Sequence, residues 1–145
     1  MTFNAAHHPF LDGMREEYVK ILTDSSMYAQ FEPGEVIFRE GDPANRFFLI
    51  HTGEVELEAD RERKGLISIQ KLGPGDVLGW SWLFPPYYWH FNARALQRTT
   101  ATFYYGTRLR EQCEQNHDFG FEMVKRFSEV LLERLQSTRR KLLLQ

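Results

Sequence analysis

Gly79-Trp80-Ser81-Trp82-Leu83, with Trp89 and His90 a few residues on, is the stretch whose residue types are best suited to chemistry. A glycine leading into a short turn presents backbone N–H groups and a partial positive charge, which suits an anion. Ser81 adds a hydroxyl. Trp80, Trp82, Tyr87, Tyr88 and Trp89 supply the aromatic lining usual for a small-molecule pocket. The same rings equally suit a pocket filled by its own side chains, or an exposed aromatic patch for a protein partner. Arg94 is a nearby cation. It alternates with Ala93 and Ala95, so along a strand it points to the face opposite those alanines. His90 has no second histidine or cysteine at ligand spacing, and His7, His8, His51 and His117 are scattered. They read as structural or surface histidines, with His7-His8 a disordered terminus, and no metal or other cofactor is expected. Cys113, near Arg110, Glu111 and Glu114, reads as a buried or partly buried helical residue. No nucleophile elbow, phosphate-binding loop or paired-carboxylate motif falls on a suitable scaffold, so the chain reads as non-enzymatic.

The elements that must position these residues follow from periodicity. Phe10, Leu11, Met14, Tyr18, Ile21 and Leu22 recur at helical spacing and predict one N-terminal helix ending at Thr23-Asp24-Ser25-Ser26. Short strands then follow, cut by Gly/Pro turns such as Glu32-Pro33-Gly34-Glu35 and Gly73-Pro74-Gly75-Asp76. Strands are predicted over 27–31, 36–38, 47–50, 54–60, 66–72, 77–78, 93–96 and 99–105. Phe47-Phe48-Leu49-Ile50 is a continuous apolar run, as in a strand buried on both faces. Strands this short and this regularly spaced predict a sandwich or barrel. A short helix over 108–116 and a long one over 119–143 complete the pattern. Val124, Phe127, Leu131, Leu135 and Leu142 form an apolar stripe on the long helix.

The 145 residues suffice for one domain with a substantial core. Residues 1–26 are assigned to an N-terminal helical segment, 27–106 to a β-barrel and 107–145 to C-terminal helices. With 42% apolar and 26% charged residues the composition is that of a soluble globular protein. The net charge of −2 argues against a nucleic-acid binder. One cysteine excludes an internal disulfide, and a cytoplasmic setting is the natural expectation. The N-terminus has no basic region followed by an apolar run, and no stretch approaches the length of a membrane helix.

At the level of residues, the stretch from Phe31-Glu32-Pro33-Gly34-Glu35-Val36-Ile37-Phe38 through Glu40-Gly41-Asp42-Pro43-Ala44 to Arg46-Phe47-Phe48-Leu49-Ile50-His51-Thr52-Gly53-Glu54-Val55 resembles the cyclic-nucleotide-binding domain. Leu72-Gly73-Pro74-Gly75-Asp76-Val77-Leu78-Gly79 resembles that family's approach to its ligand cassette. The resemblance implies a mainly β fold with flanking α: a jelly-roll barrel (double-stranded β-helix) of about eight strands, an N-terminal helix and a long C-terminal helix. In the family, a glutamate after the glycine accepts from the ribose hydroxyl, and a later arginine pairs with the cyclic phosphate. Here Gly79 matches, but Trp80 stands at the glutamate position and the arginine position falls near Trp89. Two indoles remove the acceptor and the cation that a buried phosphate requires, and they fill volume.

Three readings follow. One is a sensor or regulatory module that takes an unidentified small molecule in the cassette through Gly79, Trp80, Ser81, Trp82, Leu83, Trp89 and Arg94. Another is a protein-interaction module with a closed, aromatic-filled pocket. The last is a cyclic-nucleotide binder with altered contacts. In relatives of the catabolite-activator type the long helix forms the dimer, so Val124, Phe127, Leu131 and Leu135 are expected at a homodimer interface. No direct DNA binding and no membrane association are expected.

Overall fold

Gly13, in the left-handed region at φ 75°, cuts the N-terminal apolar pattern in two. The single helix predicted there is instead a 3-10 turn over Pro9–Leu11 and a helix α1 over Glu16–Asp24. The apolar periodicity survives the break, since Phe10, Leu11, Met14, Tyr18 and Leu22 are all buried. His8 is not part of a loose terminus. It is 6% exposed, and its ring Nδ1 accepts the Phe10 amide and so caps the 3-10 turn. The structure, a computed structural model, describes residues 7–145; residues 1–6 of the assigned N-terminal segment lie outside the described residues.

Eight strands follow: β1 (Ser26–Phe31), β2 (Val36–Phe38), β3 (Arg46–Thr52), β4 (Val55–Asp60), β5 (Leu66–Leu72), β6 (Val77–Leu78), β7 (Asn92–Ala95) and β8 (Thr99–Tyr105). They pair antiparallel in two four-stranded sheets, ordered β1-β8-β3-β6 and β2-β7-β4-β5. This is the expected jelly roll, built as two facing sheets that do not close into a full barrel. Helix α2 spans Gly106–Gln115 and α3 spans His117–Leu143. The Asn116 side chain accepts the Phe119 amide and fixes where α3 begins.

The period-2 alternation of β3 sorts its side chains between two cores. Phe47 and Leu49 enter a core shared with α1, α2 and α3, which includes Leu22, Leu109, Phe119, Met123 and Phe127. Phe48 and Ile50 point between the sheets, into a core with Ile37, Phe38, Val55, Leu57, Trp89, Ala93 and Ala95. The apolar run of β3 is therefore covered on one side by helices and on the other by the second sheet, as its lack of alternation implies.

The long-helix stripe needs one correction. Phe127 is fully buried in the chain's own core, where it meets Phe10, Phe47 and Trp82 edge-on. A side chain so enclosed is not available to a second chain. Leu131 is half-buried, while Val124 and Leu135 are exposed.

Candidate functional site

The chain reaches the cassette through β6 and the turn at Gly79, where φ is 94°. A second constraint acts at the same residue. A Cβ there would lie 3.0 Å from Cη2 and Cζ3 of Trp89. Gly79 thus lets the backbone turn and lets an indole lie against it.

That indole is 2% exposed. It stacks on Phe38 with ring centroids 3.8 Å apart and planes 8° from parallel. Its backbone is tied to the Glu40-Gly41-Asp42 turn by two hydrogen bonds: the Gly41 amide donates to the Trp89 carbonyl (2.9 Å) and the Trp89 amide donates to the Asp42 carbonyl (3.0 Å). The Arg46 guanidinium sits over the ring, 5.7 Å from its centroid. Trp89 therefore fills space between the sheets, in the core that its chain neighbours Ala93 and Ala95 also line.

The other cassette residues are equally occupied. Trp80 packs against both cores, stacks on His90 at 4.9 Å and meets Phe91 edge-on at 6.0 Å. Ser81 is fully buried, and its Oγ lies 3.0 Å from His90 Nδ1. Trp82 points the other way, into the helical core, stacked on Phe47 at 5.0 Å. Its carbonyl accepts from Arg110, whose guanidinium also covers the Tyr87 ring at 4.1 Å. Leu83 is half-buried, and its amide donates to the Trp80 carbonyl. The cassette backbone is a series of turns rather than a helix.

Arg94 leaves the cassette altogether. Ala93 and Ala95 point inward, and Arg94 projects from the other face of β7, as alternation requires. There it donates to Glu58 through Nε (3.3 Å) and Nη2 (3.0 Å) and to Glu56 through Nη2 (3.0 Å). The hydrogen bond and charge of Glu58, with Glu56 adding, raise its pKa above the ordinary value. The cation named among the candidate ligand-binding residues is thus held by two carboxylates.

A cyclic nucleotide requires an acceptor for the ribose, a cation for the phosphate and a cavity for the ring system. Where the resemblance expects the first stands the half-buried Trp80, and near where it expects the second stands the buried Trp89, which packs between the sheets.

Sequence reasoning placed Trp80, Ser81, Leu83 and Trp89 in one neighbourhood, and the structure brings them together. It separates Trp82 and Arg94 from them. It also adds Phe38 and Arg46, and sets His90 against Trp80 and Ser81. Arg46 was legible, because it shares its β3 parity with Phe48 and Ile50 and so belongs on the inner face.

Against known proteins, a sequence model of the cyclic nucleotide-binding domain matches residues 28–116. The chain is 30% identical over 76 residues to a CRP-like cAMP-activated global transcriptional regulator of Mycobacterium tuberculosis; the match takes in 51% of this chain and 33% of that protein. The chain therefore spans about a third of the length of the curated relatives it matches. Among solved structures, a protein of Geobacter metallireducens GS-15 described as cyclic nucleotide-binding superposes with a TM-score of 0.81 at 29% identity, covering 88% of this chain and 92% of that one. A cyclic nucleotide-binding domain from Methylobacillus flagellatus KT superposes at 0.80 with 22% identity, over 90% of this chain and 73% of that one. With the family model matching well over half of its residues, and a jelly roll that superposes on such domains nearly end to end, the chain belongs to the cyclic nucleotide-binding domain family.

Proposed function

We propose that this chain is a regulatory module of the catabolite-activator type whose nucleotide site is permanently filled by its own side chains, and that it acts through contact with a protein rather than by sensing a cyclic nucleotide. The observation that carries this reading is the position of Trp89. An indole stacked flat on Phe38, 2% exposed, stands near the position where the resemblance expects the phosphate arginine. A ligand entering there would have to displace an aromatic stack worth about 0.5–1.5 kcal/mol beyond its buried area. It would then bury an anion with neither Arg94 nor Arg110 free to receive it. The engagement of Arg94 by Glu56 and Glu58 and of Arg110 by the Trp82 carbonyl supports the same reading.

The test is thermal unfolding with cyclic AMP and cyclic GMP. A ligand at about a hundred times its dissociation constant stabilises a fold by about 2.7 kcal/mol, which moves Tm by roughly 5–10 °C in a domain of this size. No shift is expected with either nucleotide. A shift of that size with cyclic AMP would refute the proposal.

We further propose that the self-association expected from the long helix is a homodimer through the exposed face of α3 that carries Val124, Leu132 and Leu135, with half-buried Leu131 at its margin. Phe121 extends the same face toward the helix start.

A further inference from the structure

The inner face of the first sheet is longer than the second sheet can cover. Register places Met27 opposite Phe103 and Ala29 opposite Ala101 across β1 and β8, and Phe48 opposite Phe103 across β3 and β8. Side chains opposite one another in a ladder share a face, so Met27, Phe103, Phe48 and Arg46 all look toward the second sheet. That sheet presents only the three residues of β2 here. The result is a cleft of about 290 Å³ whose lining includes Met27, Phe31, Ile37, Arg46, Phe48 and Phe103. Its floor is a run of edge-on rings, Phe31 on Phe48 at 5.5 Å and Phe48 on Phe103 at 5.6 Å. Its rim is open, with Met27 49% exposed although it lies on an inward face.

Arg46 is the one charged residue in that lining. Its Nη1 donates to Asn45 Oδ1 (2.8 Å) and its Nη2 to the Ile37 carbonyl (3.2 Å). Among the described residues it makes no ion pair within 4.0 Å. Asp42 supports its charge only at longer range, while burial disfavours that charge and dominates. Of five N–H donors, two are used by these neutral acceptors. An apolar cleft of the size of a small-molecule site, with one half-buried and unpaired guanidinium at its wall, is complementary to a compact anion with an apolar body.

We propose that this cleft binds a small carboxylic acid with an aromatic or short aliphatic body: the body lies on Phe31, Phe48 and Phe103, and the carboxylate accepts from the Arg46 guanidinium. The site is distinct from the cassette, and the proposal does not depend on the cassette being closed. It nevertheless reaches the cassette, because the guanidinium that would grip the acid is the one lying over Trp89.

The experiment is an NMR titration of the labelled full chain with 4-phenylbutyrate, run beside 4-phenylbutanol, which has the same body and no charge. Saturable binding of the acid, at least about tenfold tighter than the alcohol, is expected from a charge-assisted pair. The resonances that move should be those of Met27, Arg46, Phe48 and Phe103. Arg46→Gln should bring acid and alcohol to equal affinity. Met27→Glu, at a side chain 49% exposed, should abolish binding of the acid by setting a like charge at the rim, with an unaltered circular dichroism spectrum showing that the fold is kept. Equal affinity of acid and alcohol for the unaltered chain would overturn the proposal. So would the absence of saturation up to about 1 mM, a bound too weak for specific recognition, or shifts confined to the indoles of Trp80 and Trp89. The last outcome would count against the closed cassette as well, whereas the first two leave that reading intact.

Discussion

Trp89 and Gly79 form a pair in which each accounts for the other. The indole can lie flat on Phe38 only if the backbone at residue 79 has no side chain, since a Cβ would come within 3.0 Å of two ring carbons. Gly79→Ala meets both that contact and the strain of φ 94°, and should cost about 1–3 kcal/mol in chemical unfolding. Trp89→Ala should cost about 3–5 kcal/mol, because it empties the middle of the inter-sheet core. The two losses should fall short of their sum in the double variant, because the clash at residue 79 disappears with the ring. Strict additivity would show that the Gly79–Trp89 contact carries no strain. Trp89 Nε1 and Trp82 Nε1 are buried without a hydrogen-bond partner among the described residues, so neither indole is held by its polar edge. Shape complementarity does that work, which is why the cost of truncation should be high. Cys113 needs no functional role at this scale: burial, with the charge of Glu114 adding, pushes its thiol up to about 11, away from the reactive thiolate form.

Among the elements, the 3-10 turn over Pro9–Leu11 is the one whose cap depends on a proton. His8 sits between two backbone groups: its Nδ1 accepts the Phe10 amide at 3.1 Å, and its Nε2 lies 3.0 Å from the Ile50 carbonyl. The first contact requires an unprotonated Nδ1, so the ring is neutral with its hydrogen on Nε2. Protonation would set Nδ1–H against the Phe10 amide and remove the cap of the turn, while the Nε2 contact with the Ile50 carbonyl persists. Burial lowers the His8 pKa. The Ile50 carbonyl raises it, the neighbouring His51 lowers it and Asp76 in the β5–β6 turn raises it. His51, edge-on to His8 at 5.6 Å, is lowered by burial too. Beyond them, Asp12, Arg126, Glu129, Glu133 and Arg134 line the groove that Pro9 and Asp76 share with α3. A histidine whose folded pKa lies below its ordinary value of 6.5 binds its proton first in the unfolded chain. Its contribution is therefore complete above pH 6.5 and is lost as pH falls from there toward the lowered folded value. Denaturation midpoints should drop between neutral and mildly acidic pH. His8→Asn, which keeps an acceptor for the Phe10 amide and cannot titrate, should flatten that dependence. An unchanged pH profile in the asparagine variant would assign the effect to another group.

At the scale of the whole molecule, α3 is divided between two tasks. Its inner side (Phe119, Met123 and Phe127) completes the helical core. Arg126 and Arg134 brace it to the barrel by donating to the Phe10, Asp12 and Val77 carbonyls. Its other side leaves Phe121, Val124, Leu132 and Leu135 in solvent, and such an apolar row on a long helix is characteristic of an interface. The proposed homodimer predicts a sedimentation coefficient of two copies that falls to that of one in a Leu132→Glu, Leu135→Glu variant with an unaltered circular dichroism spectrum. A clean monomer at high concentration of the unaltered chain would refute it. None of the helices among the described residues is long and apolar enough to cross a membrane.

Much of this architecture follows from local rules. Turn residues at 33–34, 41–43 and 73–75 and the alternation between them mark the strands to within a residue or two, and the Asn116 cap begins the last helix. The N-terminal helix was misread because six apolar residues at helical spacing outweighed one glycine, and only packing against β3 shows that Gly13 turns the chain there. Phe127 and Arg94 show the same limit. Periodicity says which residues share a face, but not which face meets the protein's own core or which carboxylates wait across a strand. The order of types along the chain, Gly79 then Trp80 with Trp89 nine residues further on, by itself sets indoles at and near the positions where the resemblance expects a glutamate and an arginine. Only the tertiary structure decided that Trp89 packs between the sheets on Phe38 and that Arg46 faces an open cleft. Those outcomes depend on contacts between strands far apart in sequence, Phe38 with Trp89 and Phe48 with Phe103, whose geometry no local pattern encodes.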